Sequence, residues 1–248
     1  MASFYARPED ICGNRIALRK DELAHVTRAR RHQEGDTVEV IDGQGHRYRV
    51  RIDAIAEDGI RGTVVGCQEE PGSLCHIILA QALLKGSRFD LVVEKATELG
   101  VRRIVPLITE RTIVPTASAN KLGRWRRIAV EATKQSLGSF VPEIEAPQDL
   151  SEALAGLGGE AGMLVAWESE TQALLHDVLP GADKRTGKIC LWVGPEGGFT
   201  DAEVEQARAF GARCFSLGSK RLRAETAGIV AVALLQYECM LLSGQGGR

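Results

Sequence analysis

The spacing of apolar residues changes once along the chain. Through about residue 70, apolar and polar positions alternate, as they do where every second side chain of a strand faces a core. Arg15–Leu18 reads as a short strand, and Thr37–Ile41 alternates before the turn signal Asp42-Gly43. His46–Ile55 alternates strictly, with Arg47, Arg49 and Arg51 on one face and Tyr48, Val50 and Ile52 on the other. Asp58-Gly59 marks another turn before Ile60–Val65. One helical segment, near Glu22–Arg31, interrupts the strands. Short strands with frequent turns predict a small β-barrel.

Glu69-Glu70-Pro71-Gly72-Ser73 breaks this rhythm and reads as a linker. Beyond it, buried strands alternate with amphipathic helices. The predicted strands are Ile77–Leu83, Arg103–Ile108, Met163–Trp167, Ile189–Val193 and Cys214–Leu217. The predicted helices are Phe89–Leu99, stopped by Gly100, then Leu122–Ser136, Thr200–Phe210 and Thr226–Leu242. Thr200 precedes Glu203 by three residues, the spacing of a capping box. Continuous apolar strands separated by helices predict an α/β fold with a mainly parallel sheet covered on both faces.

Composition narrows this picture little. A 44% hydrophobic fraction over 248 residues suffices for ordinary cores, and the formal net charge is -2. Any nucleic-acid partner must therefore be met by local clusters of Lys and Arg. The six cysteines are scattered without Cys-x-x-Cys pairs, so no metal site is expected and they read as reduced thiols. Met1–Asp10 lacks the basic flank and apolar run of a signal peptide. The longest continuous apolar stretch, Ala227–Leu235, is far shorter than a membrane span. The expectation is a soluble, cytoplasmic protein with no membrane partner.

Two segments invite a chemical reading. Val193–Thr200 (Val-Gly-Pro-Glu-Gly-Gly-Phe-Thr) joins a buried strand to a capped helix. Ligands of open parallel sheets bind at the carboxyl ends of strands, and glycines there admit a ligand close to the backbone. The segment fits neither the dinucleotide fingerprint nor the phosphate-binding loop, and on spacing alone a tight structural turn explains it equally well. Leu217–Thr226 also follows a strand and opens a helix. Glu225 and Thr226 suit a helix N-terminus, but Lys220, Arg221 and Arg223 do not, because cations are disfavoured there. That misfit points to an anionic or electron-rich ligand.

Taken together, Gly194-Pro195-Glu196-Gly197-Gly198-Phe199-Thr200 and Leu217-Gly218 with Leu222-Arg223-Ala224-Glu225-Thr226-Ala227 resemble the paired signature of the RsmE family. These are the 16S ribosomal RNA uracil-N3 methyltransferases of the SPOUT class. Lys95–Val101, Ile104–Leu107, Thr109-Glu110-Arg111, Lys134-Gln135-Ser136 and Val141–Ile144 fit the same pattern, as do His25–Arg31, Gly35-Asp36 and Asp42-Gly43 near the N-terminus. The resemblance covers nearly the whole chain in the expected order. It implies a small PUA-like β-barrel RNA-binding domain over residues 1–70. A SPOUT domain over residues 74–248 follows, its parallel sheet knotted by a C-terminal trefoil that breaks the rule against threaded chains.

The family also implies roles for individual residues. S-adenosyl-L-methionine is the expected cofactor, held by Gly194, Glu196, Gly197 and Gly198 on one wall and Leu217, Gly218, Leu222 and Thr226 on another. Leu107 and Thr109 close the adenine side. Arg223 is the expected stabiliser of a uracilate anion, since a guanidinium always stays charged, with Glu225 orienting it or accepting the proton. Salt bridges from Arg223 to Glu225 or Glu196 are the structural alternative. Arg28 and Arg31, which match the family pattern and share a predicted helix with Arg30, are expected to contact RNA, and Lys85 and Arg88, by their position before the first helix of the second domain, to extend that basic surface; the strand arginines Arg47, Arg49 and Arg51 fit a solvated surface equally well. The implied partners are 16S rRNA in an assembled small subunit and a second copy of the chain. Two departures stand out: Ser3 precedes Phe4-Tyr5 where relatives often carry arginine, and Gly138 and Phe140 occupy two further arginine places. A SPOUT enzyme acting on another RNA atom, and a non-catalytic assembly factor, are the competing readings.

Overall fold

In a computed structural model, residues 3–20, 22, 32–70, 75–114, 118–159, 161–179 and 187–244 are described, with the side chains of 242–244 excepted. Contacts divide the chain into two units: Met1–Gly72 with Ala129–Val141, and Ser73–Ile128 with Pro142–Arg248.

The first unit is built on a six-stranded sheet. In chain order its strands are β1 (Phe4–Tyr5), β2 (Ile11–Cys12), β3 (Arg15–Arg19), β4 (Thr37–Ile41), β5 (His46–Ala56) and β6 (Gly59–Glu69), arranged β1-β4-β5-β6-β3-β2. All neighbours are antiparallel except β1 and β4. The alternation in the sequence is realised: Val38, Val40, Val50, Ile52 and Ile60 turn inward to pack with Phe4, Ile16 and Leu18. Arg49 and Arg51 point to solvent, but Arg47 does not. Its guanidinium bonds Glu39 at 3.0 Å and Ser3 Oγ at 3.3 Å, and donates to the carbonyls of Leu137 and Gly138. The two-residue β1 carries no periodicity, so nothing in the sequence announces it. Most of the predicted 22–31 helix, including Arg28, Arg30 and Arg31, lies outside the described residues.

The stretch Ala129–Val141, which the pattern assigns to the helical half of the chain, groups with this first unit. Long-range bonds explain it. Glu70 accepts from the Ser139 amide at 2.7 Å, and the Val141 amide donates to the Gly43 carbonyl. Phe140 lies against Gly45, whose φ of 108° and lack of a side chain let the ring approach to where a Cβ would stand.

The second unit carries a parallel sheet of β7 (His76–Ala82), β8 (Arg103–Ile108), β9 (Glu143–Ile144), β10 (Gln148–Asp149), β11 (Gly162–Ala166), β12 (Lys188–Val193) and β13 (Arg213–Phe215). The order is β10-β8-β7-β12-β11-β13, with β9 beside β8, and every pairing is parallel. Its helices are α1 (Arg88–Glu98), α2 (Ala119–Gln135, whose last turns belong to the first unit), α3 (Leu150–Leu157), α4 (Leu175–Val178), α5 (Asp201–Ala209) and α6 (Ala224–Gly244). One face of the sheet buries Ile78, Ala80, Val105, Leu107 and Trp192 against α3 and α5. The other packs α6 over β7 and β12, with α1 beside it. Both faces are thus covered, which is why the strands read as continuous apolar runs.

Two helices absent from the sequence reading are α3 and α4. Leu150, Ala153, Leu154 and Leu157 in α3 have the i, i+3, i+4, i+7 spacing of a buried face, so that signal was present. The single turn of α4 is too short to carry one. The Thr200–Glu203 capping box forms: Thr200 Oγ1 accepts from the Glu203 amide, and Glu203 accepts from the Thr200 amide at 2.8 Å. Over Ala224–Leu241, α6 is long and apolar enough to span a membrane, despite the polar residues that break its run. Here it serves as a packing helix, with Ala231, Val232 and Leu235 fully buried.

Candidate functional site

The site forms where β7, β11, β12 and β13 end. Strands β12 and β11 are paired through Val193 and Ala166, and β13 reaches Ala166 through Phe215. Each chain then turns away, and the loops enclose a cavity of about 760 Å³. One wall is Val193–Glu196 with Gly198; another is Ser216–Glu225 with Ala227; Ala166–Glu168 and Arg88 complete it.

Three glycines let these loops take their shape. Gly198 has φ of 70°, and a Cβ there would meet Glu168 Oε1 at 1.7 Å. A side chain on Gly194 would press against the Phe199 amide at 2.9 Å. Gly218 has φ of 102° with open space beside it, so its requirement is conformational rather than steric. The turn is closed by the Gly198 amide, which donates to the Pro195 carbonyl at 2.9 Å.

Charge is distributed unevenly. Lys220, Arg221 and Arg223 are exposed on the loop before α6 and make no ion pair with a described residue. Arg223 stands immediately before the first residue of α6, against the positive end of the helix dipole. The salt bridge from Arg223 to Glu225 or Glu196 is not formed; both carboxylates face Arg88 instead. Arg88 Nη1 lies 2.9 Å from Glu196 Oε1, and Arg88 Nε lies 3.9 Å from Glu225 Oε1. Glu196 also accepts from the Lys85 amide at 3.1 Å. Burial opposes ionisation of Glu196, but the amide of Lys85, its own amide and the Arg88 guanidinium outweigh it and hold its carboxyl below the usual carboxylate range.

Glu225 is different. The residue is only 8% exposed, and its Oε2 is buried without a hydrogen-bond partner. A buried carboxylate oxygen with nothing to accept from is rare, because an unsatisfied acceptor costs about 1–3 kcal/mol. Glu225 is one of the residues that line the cavity.

The cavity therefore gathers Gly194, Glu196, Gly198, Leu217, Gly218, Leu222, Arg223, Glu225 and Arg88 from the residues expected at the site. Others lie elsewhere in the same unit. Leu107 is fully buried in the core, and Thr109 is buried and bonded through Oγ1 to Thr112 Oγ1 at 2.8 Å. Gly197 faces outward, its carbonyl bound by Arg111 at 2.7 Å. Thr226 is exposed outside the lining, and Lys85 is exposed, its amide donating to Glu196 and its carbonyl accepting from the Arg88 amide. Arg28 and Arg31 are outside the described residues. The sequence reading missed Trp167 and Glu168 in the cavity wall. Their signal was position alone, at the end of a buried strand. It also missed Gln81, a polar residue inside an otherwise apolar strand.

The chain matches the family model of an RNA methyltransferase domain over residues 70–236, and that of an RNA methyltransferase PUA domain over residues 18–65. A ribosomal RNA small subunit methyltransferase E from Synechocystis sp. is 34% identical over 91% of this chain and 74% of that protein. The protein of that name from Aquifex aeolicus is 31% identical over 95% of this chain and 99% of its own length. Among solved structures, a ribosomal RNA small subunit methyltransferase E from Neisseria gonorrhoeae, bound to S-adenosyl methionine, superposes with a TM-score of 0.83. It is 29% identical, covering 96% of this chain and 98% of that one.

Proposed function

Because the chain belongs to the RNA methyltransferase family, and within it to the ribosomal RNA small subunit methyltransferases E, we propose that it methylates N3 of a uridine in 16S ribosomal RNA, using S-adenosyl-L-methionine. The observation that carries this reading to the atomic level is the juxtaposition in one cavity of a glycine-built wall, an unpaired guanidinium at Arg223 and an unpaired buried oxygen at Glu225.

The residues fit the cofactor. Gly218 leaves open space beside the loop, and the carboxylates of Glu168, Glu196 and Glu225 suit a ligand bearing both a sulfonium and an ammonium group. Leu217, Gly218, Leu222 and Thr226 would form the opposite wall, with Gly197, Leu107 and Thr109 supporting the loops from outside the cavity. When bound, the cofactor supplies an electrophilic methyl group whose thioether leaving group needs no acid. The protein's part is alignment and charge. Attack by N3 requires the imide proton to leave, and the carboxylate of Glu225, which lines the cavity, would accept it. Arg223 then stands against O2 or O4, where the uracilate charge develops. Arg88 orients Glu225 and Glu196 together, and Lys85 extends the basic rim toward RNA, with Arg28 and Arg31 of the barrel gripping phosphates.

The wider assembly belongs to the same proposal. The parallel order places β12 between β7 and β11, which suits a C-terminal chain threaded as a trefoil knot. Leu234, Tyr237, Met240 and Leu241 leave an apolar stripe exposed on α6, which suits pairing with a second copy. The substrate is proposed to be the assembled small subunit in the cytoplasm.

Calorimetry tests the cofactor. The expected result is saturable S-adenosylmethionine binding, and no heat together with no thermal shift at saturating ligand overturns the enzyme reading. Arg223→Ala should lose methyl transfer while keeping cofactor affinity. Mass mapping of ribosomal RNA from a deletion strain decides the target atom. A missing mark other than N3-methyluridine, such as a ribose methyl group, refutes the N3 assignment. No missing mark points to an assembly factor.

A further inference from the structure

Gln81 lies in the middle of the parallel sheet, where both neighbours are hydrogen-bonded strands: it pairs with Val193 of β12 and Pro106 of β8. It is fully buried. The other inward positions of β7 are apolar, and a buried carboxamide is tolerated only where its hydrogen bonds are used. Here they are used unusually. Nε2 points to the carbonyl oxygens of Gly194 at 3.2 Å, Val193 at 3.4 Å and Ala82 at 3.4 Å. At Val193 and Gly194 the chain leaves the sheet to form the first wall of the cavity.

The other end of the carboxamide faces α6. Gln81 Oε1 is buried without a hydrogen-bond partner, and a Cβ added to Gly228 would stand 2.4 Å from it. Gly228 is thus required so that α6 can settle onto this oxygen. It lies four residues after Ala224 and three after Glu225, so it shares a helix face with two residues that line the cavity. A single side chain therefore touches both the start of the glycine loop and the first turns of α6.

On the reading of this cavity as the cofactor site, we propose that Gln81 is a positioning residue: its carboxamide sets the separation between the Gly194–Thr200 loop and the Glu225 turn of α6. It touches no ligand. It holds the two walls that do. A Met or Leu of similar volume would fill the space but leave the Val193 and Gly194 carbonyls without their donor.

The test separates space-filling from positioning. Gln81→Ala leaves a void beside Gly228, and adding Gly228→Ala fills part of it, so the double variant should recover much of the melting temperature lost by the single one. Hydrogen exchange of peptides spanning 195–199 is then compared in the ligand-free full chain. The expected result is at least tenfold faster exchange in both variants than in wild type, despite the recovered melting temperature. S-adenosylmethionine affinity measured on the same samples should be at least tenfold weaker in both. Restoration of exchange protection and affinity along with stability overturns the proposal, because Gln81 would then be filler. If Gln81→Ala does not fold, Gln81→Met replaces it. It fills a similar volume without a donor, so peptides 195–199 should still exchange at least tenfold faster than in wild type. Wild-type-like protection in Gln81→Met overturns the idea. A wild-type chain that fails to bind S-adenosylmethionine removes the cofactor reading alone, since the exchange comparison needs no ligand.

Discussion

Replacing Glu225 by Met should make the ligand-free protein more stable and the enzyme inactive. The residue is 8% exposed, with Oε2 buried and unpartnered, so removing the carboxylate relieves an unsatisfied acceptor at about 1–3 kcal/mol. Two favourable contributions are lost. The contact with Arg88 is 3.9 Å long and involves a guanidinium that is 44% exposed, so it contributes roughly 0–1 kcal/mol. The negative charge in the first turn of α6 contributes about 0.3–1 kcal/mol through the helix dipole. The balance favours Met by about 1 kcal/mol, and its methylenes fill a similar volume. For a cooperative unit of this size that corresponds to a rise of roughly 2–4 °C in melting temperature. The assay is thermal denaturation of ligand-free wild type and variant, followed by calorimetry with S-adenosylmethionine and a methyl-transfer assay on small subunits. A fall in melting temperature would falsify the reasoning, because it would mean that Glu225 is already satisfied in the free protein and serves the fold. Retained methyl transfer would remove it from the chemistry.

Three further outcomes follow from the geometry. Gly218→Ala meets no atom within 4 Å but must adopt φ of 102°, so urea unfolding should show a loss of about 1–3 kcal/mol from backbone strain alone; a loss below half a kilocalorie (~0.5) means that the loop relaxes. Glu196→Gln should change the acid limb of a melting-temperature profile. The folded-state value is depressed below 4.5, so the ionised carboxylate adds stability that is full above pH 4.5 and disappears as pH falls through the lower folded value. The variant should therefore be less stable at neutral pH and converge on wild type in acid, and a deficit independent of pH contradicts the assignment. Arg47→Ala in the first unit removes the donor to Glu39, Ser3 and Gly138, and should lower stability by about 1–3 kcal/mol in denaturant titration; an unchanged midpoint means that those acceptors find other donors.

Much of the architecture was legible as periodicity. Thr37–Ile41 and Arg103–Ile108 have the ends that their patterns predict, because period-2 alternation and a continuous apolar run are local properties. The capping box at Thr200 was legible for the same reason: its two hydrogen bonds link residues three apart. The glycines of Val193–Thr200 and the misplaced cations before α6 marked the site, since both violate what a plain strand-to-helix connection needs. Other features were not local. Arg47 sits in an alternating strand like Arg49 and Arg51, yet acceptors about ninety residues away draw it inward. The Ser3, Gly138 and Phe140 positions, which look like absences in the sequence, are where the first unit packs around Arg47 and Gly45.

The sequence by itself determined the longer strands and most of the helices, the family, and the two loops that supply most of the cavity wall. Backbone conformation and side-chain period act between near neighbours, so a linear pattern records them. Only the tertiary structure decided the partners. It gave Glu196 and Glu225 to Arg88 rather than to Arg223, left Arg223 without a carboxylate among the described residues, and drew Leu107 and Thr109 into the core. It also brought Gln81 to Gly194 and Gly228, more than a hundred residues away in the chain. Those distances depend on how strands order themselves in a sheet, and strand order follows from burying all faces at once, a condition that no single stretch of sequence carries.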